Sequence, residues 1–298
     1  MNILITGGTG LIGQRLCKAL NSAHQLTVLS RSKHKAHSLL GSDITIIEDL
    51  ASLTNLNQFD AVINLAGEPI AEKRWTEKQK HAICQSRWAI TQQLVDLFKV
   101  SEQPPKTFIS GSAIGIYGRQ SAQPITEDFD QYHEEFSHTI CQQWEDIANQ
   151  AQPFSRVCIL RTGIVLSNQG GALKKMLPPF KMGVGGRIGS GQQYMSWIHI
   201  DDMVNGIIWL LEHEALSGVF NLTAPKPVTN KTFALELAAT LNRPAFCPVP
   251  ATVLKVLLGE MSDLLLNGQN VLPQKLSQSG YQFKHPDIKE ALQDLLHR

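Results

Sequence analysis

The chain has 298 residues, of which 43% are hydrophobic and 18% charged, and its formal net charge is +1. So small a charge provides no field for nucleic acid or an acidic membrane surface, and five cysteines without a C-x-x-C pair argue against a disulfide framework or a zinc site. We expect a small-molecule substrate, a reducing cytoplasmic setting with no signal peptide or membrane span, and a large α/β domain with a smaller appended lobe.

The first strand is expected over Ile3 to Ile5. After it, Gly7, Gly10 and Gly13 form G-x-x-G-x-x-G ahead of a helix with apolar residues at Leu11, Ile12, Leu16, Ala19 and Leu20. A second strand at Leu26 to Leu29 closes a βαβ unit within about 30 residues. Such a turn admits positive φ, lets the backbone approach a pyrophosphate, and aims the free N–H groups of the helix at the anion. The expected fold is therefore α/β, a Rossmann-type doubly wound parallel sheet, with Gly7, Thr9, Gly10, Leu11, Ile12 and Gly13 along the cofactor.

Ser30-Arg31-Ser32-Lys33 follows the second strand, where a fold that selects NAD usually holds an acid for the ribose 2′-hydroxyl. Arg31, with Ser32 beside it, can fork onto a 2′-phosphate, so this position predicts NADP(H); the alternative is the start of a solvated helix. A third strand, Ile44 to Ile47, ends at Asp49 and Leu50, which would meet the adenine unless Asp49 is a helix N-cap. The fourth strand, Ala61 to Leu65, runs into Ala66, Gly67 and Glu68, a stretch small enough to lie against ribose and phosphates. A helix from about Thr76 to Phe98 carries Ser86-Arg87 and Thr91. The fifth strand, from Thr107, leads through Ser110, Gly111 and Ser112 to Tyr117-Gly118.

In this order the segments resemble the extended short-chain dehydrogenase/reductase superfamily. The likeness continues in Leu160-Arg161-Thr162-Gly163 and in Trp197-Ile198-His199-Ile200-Asp201-Asp202. More narrowly, the chain resembles a subgroup described as nucleoside-diphosphate-sugar epimerases, some with a cell-division-inhibitor-like label. Its marks here are Arg74-Trp75, Ser86-Arg87, Cys141 with Trp144-Glu145, Gly185-Gly186, and the tail from Val271-Leu272-Pro273 to Phe283. The resemblance implies an NADP(H)-dependent oxidoreductase or epimerase acting on a small carbonyl, alcohol or nucleotide-sugar. It also implies a nucleotide-binding domain over 1–165, completed by about 198–222, and a substrate lobe over 166–298 with a family-specific segment at 248–298.

The superfamily's Tyr-x-x-x-Lys pair lies on the helix after the fifth strand. Aligned on Glu145, this chain has Ser137 and Cys141 in those places, and it has no lysine between Lys106 and Lys174. The ordinary dyad is therefore expected to be absent. The resemblance puts Ser110 at the cofactor and leaves Ser112, Tyr117 and Cys141 as catalytic candidates. Against these stand a strand-end cap for Ser112, a structural Tyr-Gly pair for Tyr117 and a buried inert thiol for Cys141. His138 lies one turn before Cys141, and a catalytically silent NADP(H)-responsive protein is the alternative to an enzyme. From Gly170 to Trp197 the chain reads as a long glycine-rich loop, in which Arg187 would take a diphosphate or carboxylate and Gln192, Trp197 and His199 would border the substrate, or else as a surface hairpin. Helices are expected over Asp201 to Glu212 and Asn230 to Leu241, with a strand at Val219 to Leu222 between them. Apolar spacing at Val253, Leu254, Leu257, Leu258 and Leu264 to Leu266 is read as lobe core or as the face of a homodimer.

Overall fold

In the computed structural model, which describes residues 1–297, alternate residues of the first strand, β1 (Asn2–Thr6), enter different cores. Ile3 and Ile5 join one cluster and Leu4 another, on opposite sides of the sheet. A strand buried on both faces needs an unbroken apolar run, as parallel sheets between helical layers do. The chain continues through α1 (Leu11–Leu20), β2 (Gln25–Leu29), α2 (Lys33–Leu40), β3 (Thr45–Ile47), β4 (Ala61–Asn64), α3 (Glu77–Val100), β5 (Thr107–Ala113), β6 (Pro124–Ile125), α4 (Phe136–Asn149) and β7 (Arg156–Thr162). Then follow β8 (Ile164–Leu166), α5 (Gly171–Lys181), β9 (Tyr194–Met195), β10 (Trp197–His199), α6 (Ile200–Glu212), β11 (Gly218–Leu222), β12 (Val228–Thr229) and α7 (Asn230–Thr240). The last segment holds α8 (Ala251–Leu258), α9 (Asp263–Leu266), β13 (Asn270–Val271), α10 (Gln274–Gln278) and α11 (Ile288–Leu296).

Seven parallel strands form the central sheet in the order β11-β7-β5-β4-β1-β2-β3. The order reverses between β1 and β4, and ligands of such sheets bind in the crevice at the carboxyl ends beside that switch. One face is covered by α1 and α6 through Leu16, Leu20, Met203 and Ile207; the other is covered by α3 and α4 through Leu94, Phe98, Ile147 and Ala148. A further core joins α5, α7 and α11 through Leu177, Phe180, Phe233, Leu237 and Leu292. The C-terminal segment is stitched back by β13 pairing with β6, by Ser196 Oγ donating to Gln269 O at 2.7 Å, and by Tyr281 OH donating to Asp202 Oδ1 at 3.1 Å.

Two expectations need correction. Residues 171–181 are helical rather than loop, because Leu173, Leu177 and Phe180 fall on one face and bury; the flanking glycines obscured that spacing. Helix α8 has no buried residue, and Val253, Val256 and Leu257 are exposed, so it is not lobe core. No helix among the described residues is long and apolar enough to cross a membrane.

Candidate functional site

The glycine turn meets its geometric requirements in different ways at each position. Gly7 has φ 70°, and a Cβ there would lie 2.5 Å from Leu65 O; one at Gly13 would lie 2.2 Å from Gly7 O. Both glycines are demanded by packing of the turn against β4 and of α1 against the turn. Gly10 differs, since a Cβ there would meet only Gly7 O at 3.2 Å, and its N–H already donates to that oxygen at 2.9 Å. Gly10 is exposed and precedes α1 without any side-chain cap, so the first N–H groups of the helix remain available to an anion. Gly7, Gly10, Leu11, Ile12 and Gly13 all line one cleft, whereas Thr9 turns its carbonyl to Gln14 Nε2 at 2.7 Å.

Beyond the end of β2, Arg31 is exposed. Ser32 caps α2 by accepting from Lys35 N at 3.3 Å, and Asp49 accepts from Ala51 N at 2.9 Å. Asp49 thus acts as the N-cap named as its alternative role. Leu50 is 2% exposed and packs in the core between the sheet and α3, so only its backbone can face a ligand. At the switch point, Thr6 Oγ1 donates to Asn64 Oδ1 at 2.6 Å and Asn64 Nδ2 donates to Thr91 Oγ1 at 2.8 Å, tying β1, β4 and α3 together. Thr6 Oγ1 also accepts from Ala66 N at 3.2 Å, which sets the path of Leu65 and Gly67 along the cleft, and Glu68 N donates to Ser86 Oγ at 2.8 Å. Ser110 is fully buried beside Asn64 and does not line the cleft; Gly111 and Ser112 do.

The cleft, of about 640 Å³, runs from this turn to the C-terminal segment. At its middle, strand register places Ser112 opposite Arg161 and Arg161 opposite Asn221. Ser112 Oγ donates to Glu145 Oε1 at 2.6 Å, and Arg161 forks onto the same carboxylate at 2.9 and 2.8 Å. Arg161 Nη1 also donates to Tyr117 OH at 3.1 Å, and Tyr117 OH donates to Asn221 Oδ1 at 2.8 Å. Burial alone would lower the Arg161 guanidinium, but its hydrogen bonds and charge pairing with Glu145 carry it above the ordinary value.

This buried chain corrects two catalytic expectations. Tyr117 is fully buried, lies outside the cleft lining, and has its phenol pushed up to about 12 by burial against the lowering pull of Arg161. It is a strut between β5 and β11. Ser112 does line the cleft, but its single proton is directed at Glu145, leaving it an acceptor there.

Ser137 and Cys141 both line the cleft one turn apart on α4. Ser137 Oγ donates to Glu135 Oε1 at 2.7 Å. The Cys141 thiol is pushed up to about 12, chiefly by burial and then by Glu145, although Arg87 pulls it down. A thiol so placed stays protonated, so Cys141 is neither nucleophile nor ready acid. His138 does not pair with it; the ring Nδ1 faces Ile116 O instead.

Arg87 lines the cleft and is the cation that sequence reasoning left without a role. Its guanidinium lies 5.3 Å over the Trp144 ring, donates to Ile83 O at 3.0 Å, and stands where a Cβ on Gly67 would come within 2.9 Å of its Cζ. Burial lowers its pKa, opposed by Cys141, Cys84 and Glu68, yet a guanidinium keeps its proton. A usable signal was present: Arg87 and Thr91 are one turn apart on α3, so the helix face that reaches Asn64 also carries a cation toward the cleft.

The expected substrate residues are placed elsewhere. Arg187 is exposed, with Nη1 donating to Gly189 O at 2.6 Å, and Gln192 is exposed beside it. Trp197 is fully buried against α5 and α7, with Nε1 on Lys226 O at 3.2 Å. His199 is fully buried as the N-cap of α6, and its Nε2 lies 3.2 Å from Asp294 Oδ2. None of the four lines the cleft, whose far wall is instead made by Gln193, Met195, Leu264 and Leu265. Motif order located the segment but not which neighbour turns inward.

Residues 3–223 match the family described as the NAD dependent epimerase/dehydratase family, and residues 249–295 match a domain of unknown function, DUF1731. An epimerase family protein of Staphylococcus aureus (strain MRSA252) is 39% identical over 295 residues, covering 98% of each chain. The chloroplastic homolog of epimerase family protein SDR39U1 from Arabidopsis thaliana is 39% identical over 303 residues, covering 99% of this chain and 87% of its own. The crystal structure of the human epimerase family protein SDR39U1 (isoform 2) with NADPH aligns at 34% identity and a TM-score of 0.92, covering 100% of both chains.

Proposed function

This chain belongs to the NAD dependent epimerase/dehydratase family, of extended short-chain dehydrogenase/reductase type, and from that premise we propose that it binds NADP(H) and oxidises or reduces an alcohol or carbonyl carbon. The observation that carries this reading is the cradle at Gly7, Gly10 and Gly13. Two of its glycines have no room for a Cβ, and the third opens beside uncapped helix N–H groups. Those residues fit a diphosphate, and exposed Arg31 at the end of β2 fits a 2′-phosphate. The human relative was crystallised with NADPH, which supports the same choice.

The nicotinamide supplies a hydride when bound; the protein supplies orientation and electrostatics. Arg87 provides a fixed cation beside Gly67 and over Trp144, where it favours the negative charge of the bound nucleotide. It takes over the charge that a lysine on α4 would bring, since α4 presents Ser137 and Cys141 to the cleft. Ser112, held by Glu145, can accept a hydrogen bond from a substrate hydroxyl. A second reading, cofactor binding without turnover, is favoured by one observation: the Tyr117 phenol and the Cys141 thiol are both held protonated, and the phenol lies outside the cleft.

Fluorescence titration with NADPH and NADH tests the cofactor. NADPH is expected to bind more tightly, with Arg31→Ala reducing its affinity by about 1.5 to 3 kcal/mol. Equal affinities for the two nucleotides would refute the assignment. NADPH oxidation across a panel of carbonyl compounds then separates turnover from silent binding.

A further inference from the structure

The part of the cleft beyond Ser112 has a chemistry that selects a substrate class, an inference that rests on the carbonyl reading above. Its walls include Trp75, Phe136, Met176, Met195 and Leu264. The Trp75 and Phe136 rings meet edge to face with centroids 4.8 Å apart. Trp75 Nε1 is spent on Ile70 O at 2.9 Å, so that wall provides an aromatic surface and no donor.

The charged side chains on the lining are one guanidinium, Arg87, and the carboxylates of Glu135, Glu260 and Asp263, beside the neutral Tyr194 phenol and Cys141 thiol. Arg87 belongs to the cofactor side, between Gly67 and Trp144. Lys80 pairs with Glu260 at 2.6 Å and Arg119 with Glu135 at 3.5 Å, so the cations at this end are already committed to carboxylates and none is left over for an anionic ligand. A diphosphate in this end would find no uncommitted cation and would face the Asp263 carboxylate across a partly dry space, where like charges repel. Arg187 cannot help, being exposed and outside the lining.

Two lining residues have a buried acceptor without a hydrogen bond: Glu135 Oε2, which has the Arg119 guanidinium 3.5 Å away, and Gln193 Oε1, which has no cation beside it. Gln193 Nε2 donates to Ile188 O at 3.0 Å and Leu265 O at 2.9 Å, which fixes the amide's orientation, and leaves its Oε1 buried with no hydrogen bond. That oxygen calls for a neutral donor. We propose that the substrate is an uncharged, largely apolar carbonyl or alcohol compound carrying a hydroxyl group for Gln193, and not a nucleoside-diphosphate sugar.

Calorimetric titration of the chain, unloaded and loaded with NADP⁺, tests this without turnover, because a ketone and an oxidised cofactor cannot react and UDP-glucose, whose hydroxyls NADP⁺ could oxidise, is compared on the unloaded chain. The probes are 4-(4-hydroxyphenyl)butan-2-one, its analogue 4-phenylbutan-2-one, and UDP-glucose. The hydroxylated ketone is expected to bind best and UDP-glucose at least about tenfold more weakly. Trp75→Ala should weaken both ketones about tenfold, and Gln193→Leu should erase the advantage of the hydroxyl while leaving NADP⁺ affinity unchanged. Tighter binding of UDP-glucose than of either ketone, or no ketone binding to either form, would overturn the proposal. Absence of NADP⁺ binding would instead defeat the cofactor reading, with the ketone preference of the unloaded chain still deciding the substrate class.

Discussion

Ser112 Oγ gives its proton to Glu145 Oε1 across 2.6 Å, and that bond decides what the serine can do. Glu145 is also gripped by Arg161, with both side chains less than a tenth exposed. The carboxylate therefore holds β5, β7 and α4 in one charged unit beneath the cleft, and Ser112 is its outermost member.

Removing different members of this unit should have unequal costs. Glu145→Ala strands a buried guanidinium and should destabilise by about 3 to 5 kcal/mol, as breaking a buried pair does. Ser112→Ala leaves Arg161 paired and should cost about 1.5 to 3 kcal/mol, the range for a hydrogen bond to a charged group. Urea unfolding of the two variants measures both. If Ser112→Ala unfolds at the wild-type midpoint, the bond to Glu145 contributes nothing and the serine is free to serve the substrate.

The glycine turn separates packing from binding. Gly13→Val should destabilise the fold severely, because its Cβ would overlap Gly7 O at 2.2 Å. Gly10→Val, facing an opening with its nearest contact at 3.2 Å, should fold and yet fail to bind NADPH. Thermal unfolding and NADPH titration of each variant test the pair; NADPH affinity retained in folded Gly10→Val would remove the diphosphate from this turn.

The sheet was legible because each of its strands is a local statement. Ile3 to Ile5, Ala61 to Ile63 and Phe108 to Ile109 are apolar runs long enough for a doubly covered strand, and the glycines mark where the first one ends. The reacting end was less legible because it is assembled from side chains far apart in sequence. Tyr117 and Ser112 have the right residue type in the right segment, but whether a hydroxyl faces ligand or network depends on Arg161 and Asn221, on strands that close the sheet later. The same holds for Trp197 and His199, which are held by Lys226 O and Asp294 from distant segments. Arg87 was visible only as a subgroup mark, since its role depends on the gap beside Gly67.

Arg87 should matter through its charge. Arg87→Met keeps the bulk against Trp144 but removes the cation, and NADPH affinity should fall about tenfold while Arg87→Lys recovers part of it. Quenching of tryptophan fluorescence gives the affinities. Identical affinities for wild type and Arg87→Met would mean that the guanidinium only packs.

The buried thiols predict how stability responds to alkali. Burial pushes Cys17 and Cys141 up to about 12 and Cys158 up to about 11, against a reference of 9.0. In the unfolded chain these thiols ionise near the reference value, while in the folded chain they keep their protons. The unfolded state then binds fewer protons, and stability falls as pH rises from about 9 toward 11 or 12; below that window the contribution is fully present. The melting temperature should therefore drop between about pH 9 and about pH 11, and Cys141→Ala should flatten the slope over that window. Iodoacetamide supplies an independent measure at neutral pH. Half-buried Cys247 should alkylate in the native protein and Cys141 only on unfolding, and rapid native alkylation of Cys141 would show a thiolate in the cleft and return it to the catalytic candidates.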